Sequence, residues 1–556
     1  MDRLKKILYV LVAIFSSVIW AQQTVSKTTN ESLFLHINAS SFVTGETLYY
    51  KLYCLNPLHF TQSNISKVAY VELVNSDKKV IFNHKLFLDN AMGQGDFFIT
   101  TAIPTGTYKL IGYTKWMLNS SKSFENDITI INPFQTVSEN KINSNNKTIS
   151  ILEKSNPENN IQLPKKSYVN REKVAVKITN LTQGNYSLSV RKVQDLPTIK
   201  PITALEFSKK EFNTTLSLSE SNIILPELRG EIISGVLTSK NNQPVNNISV
   251  ALSIPGKAFE FKLVKTNKDG KFSFNLDKAY YEPNCVIQVL SNYKEDYTIT
   301  LDKPTTFDTS SILIENDVKL SSELKSIIEE HSVASQIENT YFEKKADTLS
   351  RTIPQALFYE PIAKEYILDN YTRFPTIKET ITEVVKEMHY YNKNNVYSLY
   401  LSDYDPNTEI EEPPLVLIDG LLVQDINELL EYQALNIYKI CVINKGYSYG
   451  NKIFNGVISF ITKKYEYNSN LLGSYIIKTA ITSPLAKKNY FKPDYSNTTF
   501  ERIPDYRYQL LWMPELTDNS QISFYTSDKT GIFEIVIEGF TSEGKPVSIK
   551  DYFEVQ

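Results

Sequence analysis

Short runs of alternating apolar and polar residues recur along the chain, and turn residues separate them. Such runs predict half-buried strands, as in 33–37, 47–52 and 68–73. The abundance of Tyr, Phe, Val, Ile and Thr also favours strands when it is summed over hundreds of residues. Because 556 residues exceed what one hydrophobic core holds, we predict a mainly β protein. It should consist of tandem β-sandwich domains and one small α+β domain.

Two stretches have helical spacing instead. From residue 316 onward the pattern changes, and this predicts a helical connector built on Leu320, Leu324, Ile327, Ile328 and Val333. The segment 376–388 predicts a second helix, since Thr376 can cap it and Glu379 can reach back to the cap. The strand-like runs after residue 480 form either a separate carboxyl-terminal β domain or strands that complete an earlier sandwich.

An internal repeat links two parts of the amino-terminal half. The run SFVTGETLYYKL at 41–52 is echoed by SYVNREKVAVKI at 167–178, at an offset of 126 residues. Gly106-Thr-Tyr108 is also echoed, by Gly184-Asn-Tyr186. Two related sandwiches in tandem are the simple interpretation. The residues between them are rich in Asn, Ser, Lys and Glu, which predicts an exposed linker.

Two regions resemble known β-sandwich families. The turns at 42–46, 93–97 and 103–108 follow one another as in macroglobulin-type domains. The motifs at 235–237, 243–250 and 266–274 resemble the carboxypeptidase regulatory-like domain, which contains no peptidase chemistry. The Lys-Asp-Gly corner inside the last motif is also a hairpin signal by itself.

A third region, 413–464, resembles the plug domain of TonB-dependent outer-membrane receptors. In such transporters a barrel of about 22 strands encloses the plug, and each strand needs about 9–11 residues to cross the bilayer. Only 92 residues follow Lys464, so we expect a plug without a barrel of its own. The combined modules resemble exported multidomain proteins of the Bacteroidetes type.

These patterns divide the chain into eight segments. They are a signal peptide at 1–21, a macroglobulin-like sandwich at 28–135, a linker at 136–160, a second macroglobulin-like β segment at 161–228, a carboxypeptidase regulatory-like sandwich at 229–304, a helical connector at 316–350, a plug-like domain at 360–465 and a carboxyl-terminal β domain at 480–556.

The amino terminus carries a targeting signal. Charged residues precede an apolar run at 7–20, and Ala21 follows it, as in a cleaved secretory signal. The alternative, an uncleaved anchor, would need about 20 apolar residues, and the run has 14. We expect an exported protein of the periplasm or outer membrane, peripheral to the membrane after cleavage. The net charge of −3 argues against nucleic acid as a partner.

The sequence offers little catalytic chemistry. Residues 446–450 match the G-x-S-x-G nucleophile motif formally, but a strand-like segment follows, and the last histidine, His389, precedes the serine. The histidines lack the spacing of a zinc site, and the acidic cluster at 403–412 is unlike a calcium loop. The three cysteines, Cys54, Cys285 and Cys441, are odd in number and lie in three separate apolar segments. This is not the pattern of a disulfide framework, and it fits buried thiols.

We therefore expect a binding or scaffold protein that is not an enzyme and has no catalytic, cofactor-binding or metal-binding residues. An outer-membrane or periplasmic protein is the expected partner, with a TonB-dependent transporter or another barrel protein as the specific candidate. The alternative is an extracytoplasmic enzyme or protease inhibitor whose site is assembled from distant residues. The candidate interaction loop consists of Lys445, Gly446, Tyr447, Tyr449 and Gly450. Its tyrosines would otherwise pack on their own domain.

Overall fold

The computed structural model describes residues 30–120, 122–135, 160–193, 196, 199–212, 223–314, 318, 320, 322–350, 356–402, 413–496, 502–516 and 521–556. The predicted signal peptide, nearly all of the predicted linker and the acidic cluster at 403–412 lie outside these residues. Strands dominate the described part of the chain, and the predicted mainly β fold class is confirmed.

The first sandwich contains the first eight strands. These are β1 (Ser32–Ile37), β2 (Ser41–Val43), β3 (Thr47–Leu55), β4 (Val68–Val74), β5 (Val80–Phe87), β6 (Met92–Phe98), β7 (Gly106–Tyr113) and β8 (Phe124–Ile131). One sheet has the order β1-β3-β6 and the other β2-β8-β7-β4-β5. Aromatic and aliphatic side chains such as Phe34, Phe42 and Leu52 fill the space between them and are fully buried.

The next four strands begin the second sandwich. They are β9 (Ile161–Gln162), β10 (Ser167–Tyr168), β11 (Lys173–Ile178) and β12 (Gly184–Lys192), and helix α1 (Ala204–Phe212) follows them. Phe207 of α1 packs against Phe34 and Phe540, so the helix joins the core of the first sandwich.

The third sandwich has two small sheets. Its strands are β13 (Glu231–Ser239), β14 (Ser249–Ile254), β15 (Glu260–Lys265), β16 (Lys271–Leu276), β17 (Asn284–Leu290) and β18 (Tyr297–Leu301). The predicted corner lies between β15 and β16, where Gly270 has a φ of +73°. The prediction of a hairpin is wrong, because β15 pairs with β14 in one sheet and β16 pairs with β13 in the other, so this turn connects the two sheets.

Helix α2 (Lys325–Thr340) lies in the predicted connector, and β19 (Thr348–Leu349) follows it. The α+β unit comes next. It contains β20 (Lys364–Ile367), α3 (Ile377–Glu383), β21 (Met388–Lys393), β22 (Val396–Leu401), β23 (Leu415–Ile418), β24 (Leu421–Leu422), α4 (Ile426–Glu431), β25 (Ile437–Ile443), β26 (Tyr447–Tyr449), β27 (Lys452–Phe454) and β28 (Val457–Thr462). Thr376 and Glu379 form the expected capping box. The helix is shorter than predicted because Met388 begins a strand.

The remaining strands return to earlier units. They are β29 (Ile476–Ala480), β30 (Lys488–Asn489), β31 (Gln509–Leu516), β32 (Gln521–Tyr525), β33 (Gly531–Thr541) and β34 (Pro546–Val555). β29 pairs with β17 of the third sandwich, and β30 pairs with β19.

The carboxyl-terminal strands complete the second sandwich, which corrects the prediction of a separate β domain at 480–556. Its sheets have the orders β10-β34-β33-β12-β31 and β32-β11-β9. The strands of 161–192 leave their apolar face uncovered until those of 509–555 pair with them, and the two sets share one buried core. The alternative of strands that complete an earlier sandwich therefore describes the chain.

The two repeat copies share their local contacts. The Val43 N–H donates to Glu46 Oε2 at 2.8 Å, and the Val169 N–H donates to Glu172 Oε2 at 2.9 Å. In each copy the strand before this turn runs parallel to the last strand of its sandwich. The repeated tyrosines behave alike as well, since Tyr108 and Tyr186 each donate to the carbonyl four residues earlier at 2.6 Å.

Buried polar contacts hold the units together. His36 of the first sandwich lies 2.7 Å from Ser187 Oγ of the second. Lys85 Nζ lies 2.5 Å from Glu231 Oε1 of the third sandwich. Such contacts lock neighbouring units in one relative orientation, because separating them would leave polar groups unpaired.

Candidate functional site

The predicted interaction loop turns inward. Lys445 and Gly446 are exposed, but the Tyr447 hydroxyl donates to the Phe358 carbonyl at 2.7 Å, and the Tyr449 hydroxyl donates to the Phe261 carbonyl. The ring centroids of Tyr449 and Phe358 are 4.4 Å apart. The tyrosines therefore join the α+β unit to the third sandwich, as the packing alternative proposed.

The same segment shows why the G-x-S-x-G match is not a nucleophile turn. β26 pairs antiparallel with β27, and Gly450, with a φ of +59°, forms the turn between them. A nucleophile elbow requires a strand followed by a helix. Ser448 instead stands in the middle of a short strand, opposite Ile453.

A five-stranded sheet forms the centre of the α+β unit, in the order β20-β25-β28-β23-β24. Leu415 and Leu417 face one core, which includes Phe259 and Phe261 of the third sandwich. Val416 and Ile418 face the opposite core, which is covered by α3 and α4. Both faces of the sheet are therefore buried within this chain.

The turn between β23 and β24 is part of this contact. Asp419 and Gly420 have φ values of +49° and +85°. A Cβ atom on Gly420 would lie 2.1 Å from Phe259 Cγ, so only glycine permits the close approach. The buried Asp419 carboxylate accepts hydrogen bonds from Thr462, and burial raises its pKa. Asp419 is thus structural.

The hairpin of β21 and β22 exposes aromatic side chains of the unit to solvent. Its outward face carries Tyr391, Val396 and Tyr400, with exposed fractions of 56%, 63% and 47%. Its inward face carries Met388 and Leu401, which are buried in the core under α3 and α4. A buried face therefore anchors the hairpin and presents the aromatic face to solvent.

The two edges of this hairpin differ. Lys393 pairs with Val396 across a two-residue turn, so alternate residues point their backbone groups outward. On the β22 edge, one of these groups is paired, since the Tyr397 N–H donates to Asn427 Oδ1 at 2.9 Å. On the β21 edge, no hydrogen bond joins the outward backbone groups of Tyr390 and Asn392 to another described residue. Among the described residues, no further strand pairs with that edge.

Sequence reasoning missed this hairpin, although a signal was present. Asn394 and Asn395 separate two alternating runs and adopt φ values of +54° and +63°. Asparagine tolerates this left-handed conformation and favours two-residue hairpin turns. The preceding helical pattern continues through Met388 in the sequence and conceals the first strand.

The structure also contains a serine–histidine pair that is closed to substrate. The Ser187 hydroxyl lies 2.7 Å from His36 Nδ1 and 2.8 Å from the Tyr53 hydroxyl. Ser187 is completely buried, and burial lowers the pKa of His36 to about 3, so the imidazole stays neutral. This arrangement supports the interface between the first two sandwiches.

The remaining candidates for chemistry are dispersed. Within the described ranges, no group of three or more His, Cys, Asp or Glu side chains is arranged to hold a metal ion. Cys54, Cys285 and Cys441 are free and buried. Burial raises the pKa of Cys285 and Cys441 to about 12, which keeps both as thiols at neutral pH. None of the helices in the described part of the chain is both long and apolar enough to cross a membrane.

Comparisons with known proteins do not assign a family. No family model matches the chain, and a search of curated proteins finds no match. Among solved structures, Escherichia coli alpha-2-macroglobulin activated by porcine elastase aligns at 9% identity with a TM-score of 0.24, covering 95% of this chain and 44% of that one. Salmonella alpha-2-macroglobulin reacted with methylamine gives 9% identity and a TM-score of 0.23, with coverages of 94% and 39%.

The dimeric latent PorU of Porphyromonas gingivalis aligns at 10% identity with a TM-score of 0.16, covering 50% of this chain and 33% of that one. This chain spans less than half the length of the macroglobulins. The neighbours include the family that the first sandwich resembles in sequence, and at TM-scores this far below 0.5 nothing more follows from them.

Proposed function

We infer that the chain is an exported, non-enzymatic binding or scaffold protein of the outer-membrane periphery, and that it contacts a partner protein through the β21–β22 hairpin. The observation that carries this proposal is the outward face of the hairpin, where Tyr391, Val396 and Tyr400 are about half exposed or more. Clustered exposed aromatic side chains are typical of protein contacts.

The open edge of β21 suggests the form of the contact. An extended segment of the partner can pair with the outward backbone groups of Tyr390 and Asn392 while its side chains meet the aromatic face. Backbone pairing would supply affinity, and the tyrosines would supply selectivity. An outer-membrane or periplasmic protein, with a barrel protein as the specific candidate, remains the proposed partner.

The position of the α+β unit favours contact with a partner at its surface over enclosure inside a barrel. A plug inside a barrel is surrounded on its sides, whereas one face of this sheet packs on Phe259 and Phe261 of the third sandwich. Docking through the hairpin requires no separation of these units. The third sandwich is itself held to the first sandwich by the buried contact between Lys85 and Glu231.

Site-specific photo-cross-linking in the native host tests the proposal. A photoreactive phenylalanine analogue replaces Tyr391 in one chain and Tyr293 in the control, because Tyr293 lies on the third sandwich and has a similar exposed fraction of 62%. We expect a discrete adduct with an outer-membrane or periplasmic protein at position 391 and none at 293. Equal adducts at both positions, or no adduct at 391, would contradict the hairpin as the contact surface.

None of the described residues specifically supports the enzyme or inhibitor alternative. The serine–histidine pair is buried, and Ser448 lies in a two-stranded hairpin. Turnover of a substrate by the purified chain would nevertheless replace the binding proposal with this alternative.

A further inference from the structure

A second surface, remote in sequence from the hairpin, has the features of a ligand site. A cleft of about 520 Å³ opens between the turn after β10, the carboxyl-terminal end of α2 and the segment before β31. Its lining combines charged, aromatic and apolar side chains, notably Arg171, Asp528, Arg502, Tyr341, Tyr506 and Ile337.

One cation of the cleft is already neutralised. Arg171 Nε donates to Asp528 Oδ1 at 2.6 Å, and its Nη2 donates to Asp528 Oδ2, also at 2.6 Å. The Tyr495 ring lies 5.1 Å from Arg171 Cζ and holds the guanidinium from the other side. Asp528 is therefore fully engaged and leaves no free carboxylate to compete for a second cation.

The second cation of the cleft lies on Arg502. Arg502 is exposed on the cleft, and no hydrogen bond or ion pair joins it to another residue of the described ranges. The neighbouring acids are also paired, since Glu338 binds Lys345 at 2.8 Å and Asp505 binds Arg507 at 2.6 Å. The ionised groups in the cleft lining therefore carry one surplus positive charge, on Arg502.

The chemistry of the lining selects the class of ligand. A guanidinium presents a planar fork of N–H donors that matches both oxygens of a carboxylate. The hydroxyls of Tyr341 and Tyr506 make no hydrogen bond to another described residue and can donate as well. Ile337 supplies an apolar wall for a group attached to the carboxylate.

We propose that this cleft binds a peptide carboxylate, with Arg502 as the principal charged contact. The carboxylate comes either from the terminus of a polypeptide or from an acidic side chain. The lining of the cleft contains no residue of the β21–β22 hairpin. A variant that abolishes binding in the cleft should therefore keep the hairpin contact, and a variant that abolishes the hairpin contact should keep binding in the cleft.

Three probe peptides separate the two sources of carboxylate. Calorimetric titration of the full chain uses acetyl-Ala-Leu-Phe with a free carboxyl group, the same peptide as an amide, and acetyl-Ala-Glu-Phe amide. Binding of the free acid assigns the cleft to termini, and binding of the glutamate probe assigns it to side chains. Binding of the neutral amide as tight as that of the acids, or no binding of either acid up to about 1 mM, overturns the proposal.

Arginine variants test the assigned contact. Arg502→Gln should weaken binding of the acidic probe by about tenfold or more, because a charge-assisted hydrogen bond is lost. Arg229→Gln is the matched control, since Arg229 is also exposed but lies before the third sandwich, outside the cleft. Added salt should weaken binding to the unmodified cleft. Equal affinities in the two variants would remove Arg502 from the site.

Discussion

The turn after β2 and the turn after β10 have the same local construction but different surroundings. In both, a backbone N–H donates to the glutamate three residues later. Gly45 has a φ of +96° at the position where Arg171 has a φ of +56° in the second copy. The repeated sequence therefore specifies a left-handed residue in each turn, although only one copy uses glycine.

Helix α2 covers the first turn. Asn339 Nδ2 donates to the Gly45 carbonyl at 3.2 Å, and a Cβ atom on Gly45 would lie 3.0 Å from Ser335 Cβ. The end of the same helix contributes Tyr341 to the edge of the cleft beside the second turn, which stays open. One helix thus closes one copy and frames an open surface at the other.

The two glutamates consequently have different environments. The Glu46 side chain is only 8% exposed, lies 3.0 Å from Arg191 Nη2 and has His331 Nδ1 at 3.4 Å. The Glu172 side chain is 29% exposed and pairs with Lys165 at the surface. Local sequence sets the turn, whereas the packing around it decides whether its charge supports the fold.

Removing each glutamate is the strongest way to test this difference. Glu46→Ala should lower the free energy of unfolding by about 3–5 kcal/mol, because it leaves the Arg191 charge buried and unpaired. Glu172→Ala should have a much smaller effect, since solvent screens its surface pair with Lys165. Denaturant unfolding of both variants measures the comparison. Equal losses would mean that burial does not distinguish the two copies.

The pH dependence should follow the same division. Burial by itself would raise the pKa of Glu46, but the Arg191 guanidinium and the bonds around the turn outweigh it and lower the pKa to about 2. An ionised group with a lowered pKa stabilises the fold above its unfolded pKa, about 4.5, and this contribution is lost as the pH falls toward 2.

Glu46→Gln should therefore be less stable than the unmodified chain at pH 7 by about 3 kcal/mol, and the difference should shrink as the pH falls from 5 to 2. Denaturant unfolding at a series of pH values measures it. Glu172→Gln is the control and should follow the unmodified chain more closely at every pH. A constant difference between Glu46→Gln and the unmodified chain would contradict the lowered pKa of Glu46.

The contrast also shows what the sequence can predict. The turns and tyrosines were visible as a repeat because their hydrogen bonds span three or four residues. The pairing of β12 with β31 and β33 is not visible in the sequence. An alternating pattern predicts a strand but does not identify a partner more than 300 residues away. Residues 161–192 and 509–555 could therefore be recognised as strands without being recognised as one sandwich.

The candidate surfaces follow the same rule. A glycine-flanked turn suggests that Tyr447 and Tyr449 are accessible, but residues distant in sequence cover them. Phe358 packs against both tyrosines, and Phe261 packs against Tyr449. The β21–β22 hairpin has two faces, and the face that carries Met388 packs against α3. Periodicity alone does not tell which face packs inward and which one faces solvent. Exposure is a property of the assembled chain, so sequence reasoning could identify interaction residues only as alternatives.

The smallest expected effects come from the repeated tyrosines, where the two copies should agree. Tyr108→Phe and Tyr186→Phe each keep a buried ring and remove one hydrogen bond to the carbonyl four residues earlier. Each should lower the free energy of unfolding by about 1 kcal/mol. Thermal or denaturant unfolding of the two variants in parallel measures both losses.

Similar losses would place the difference between the copies in the packing around their turns, since the hydrogen bonds within them are alike. A much larger loss from Tyr186→Phe would instead indicate that the second sandwich depends more on its own local contacts. The reason would lie in its assembly, because it closes only when β31, β33 and β34 join β10 and β12. In that case the two copies would differ in the order of strand pairing as well as in the helix that covers the first turn.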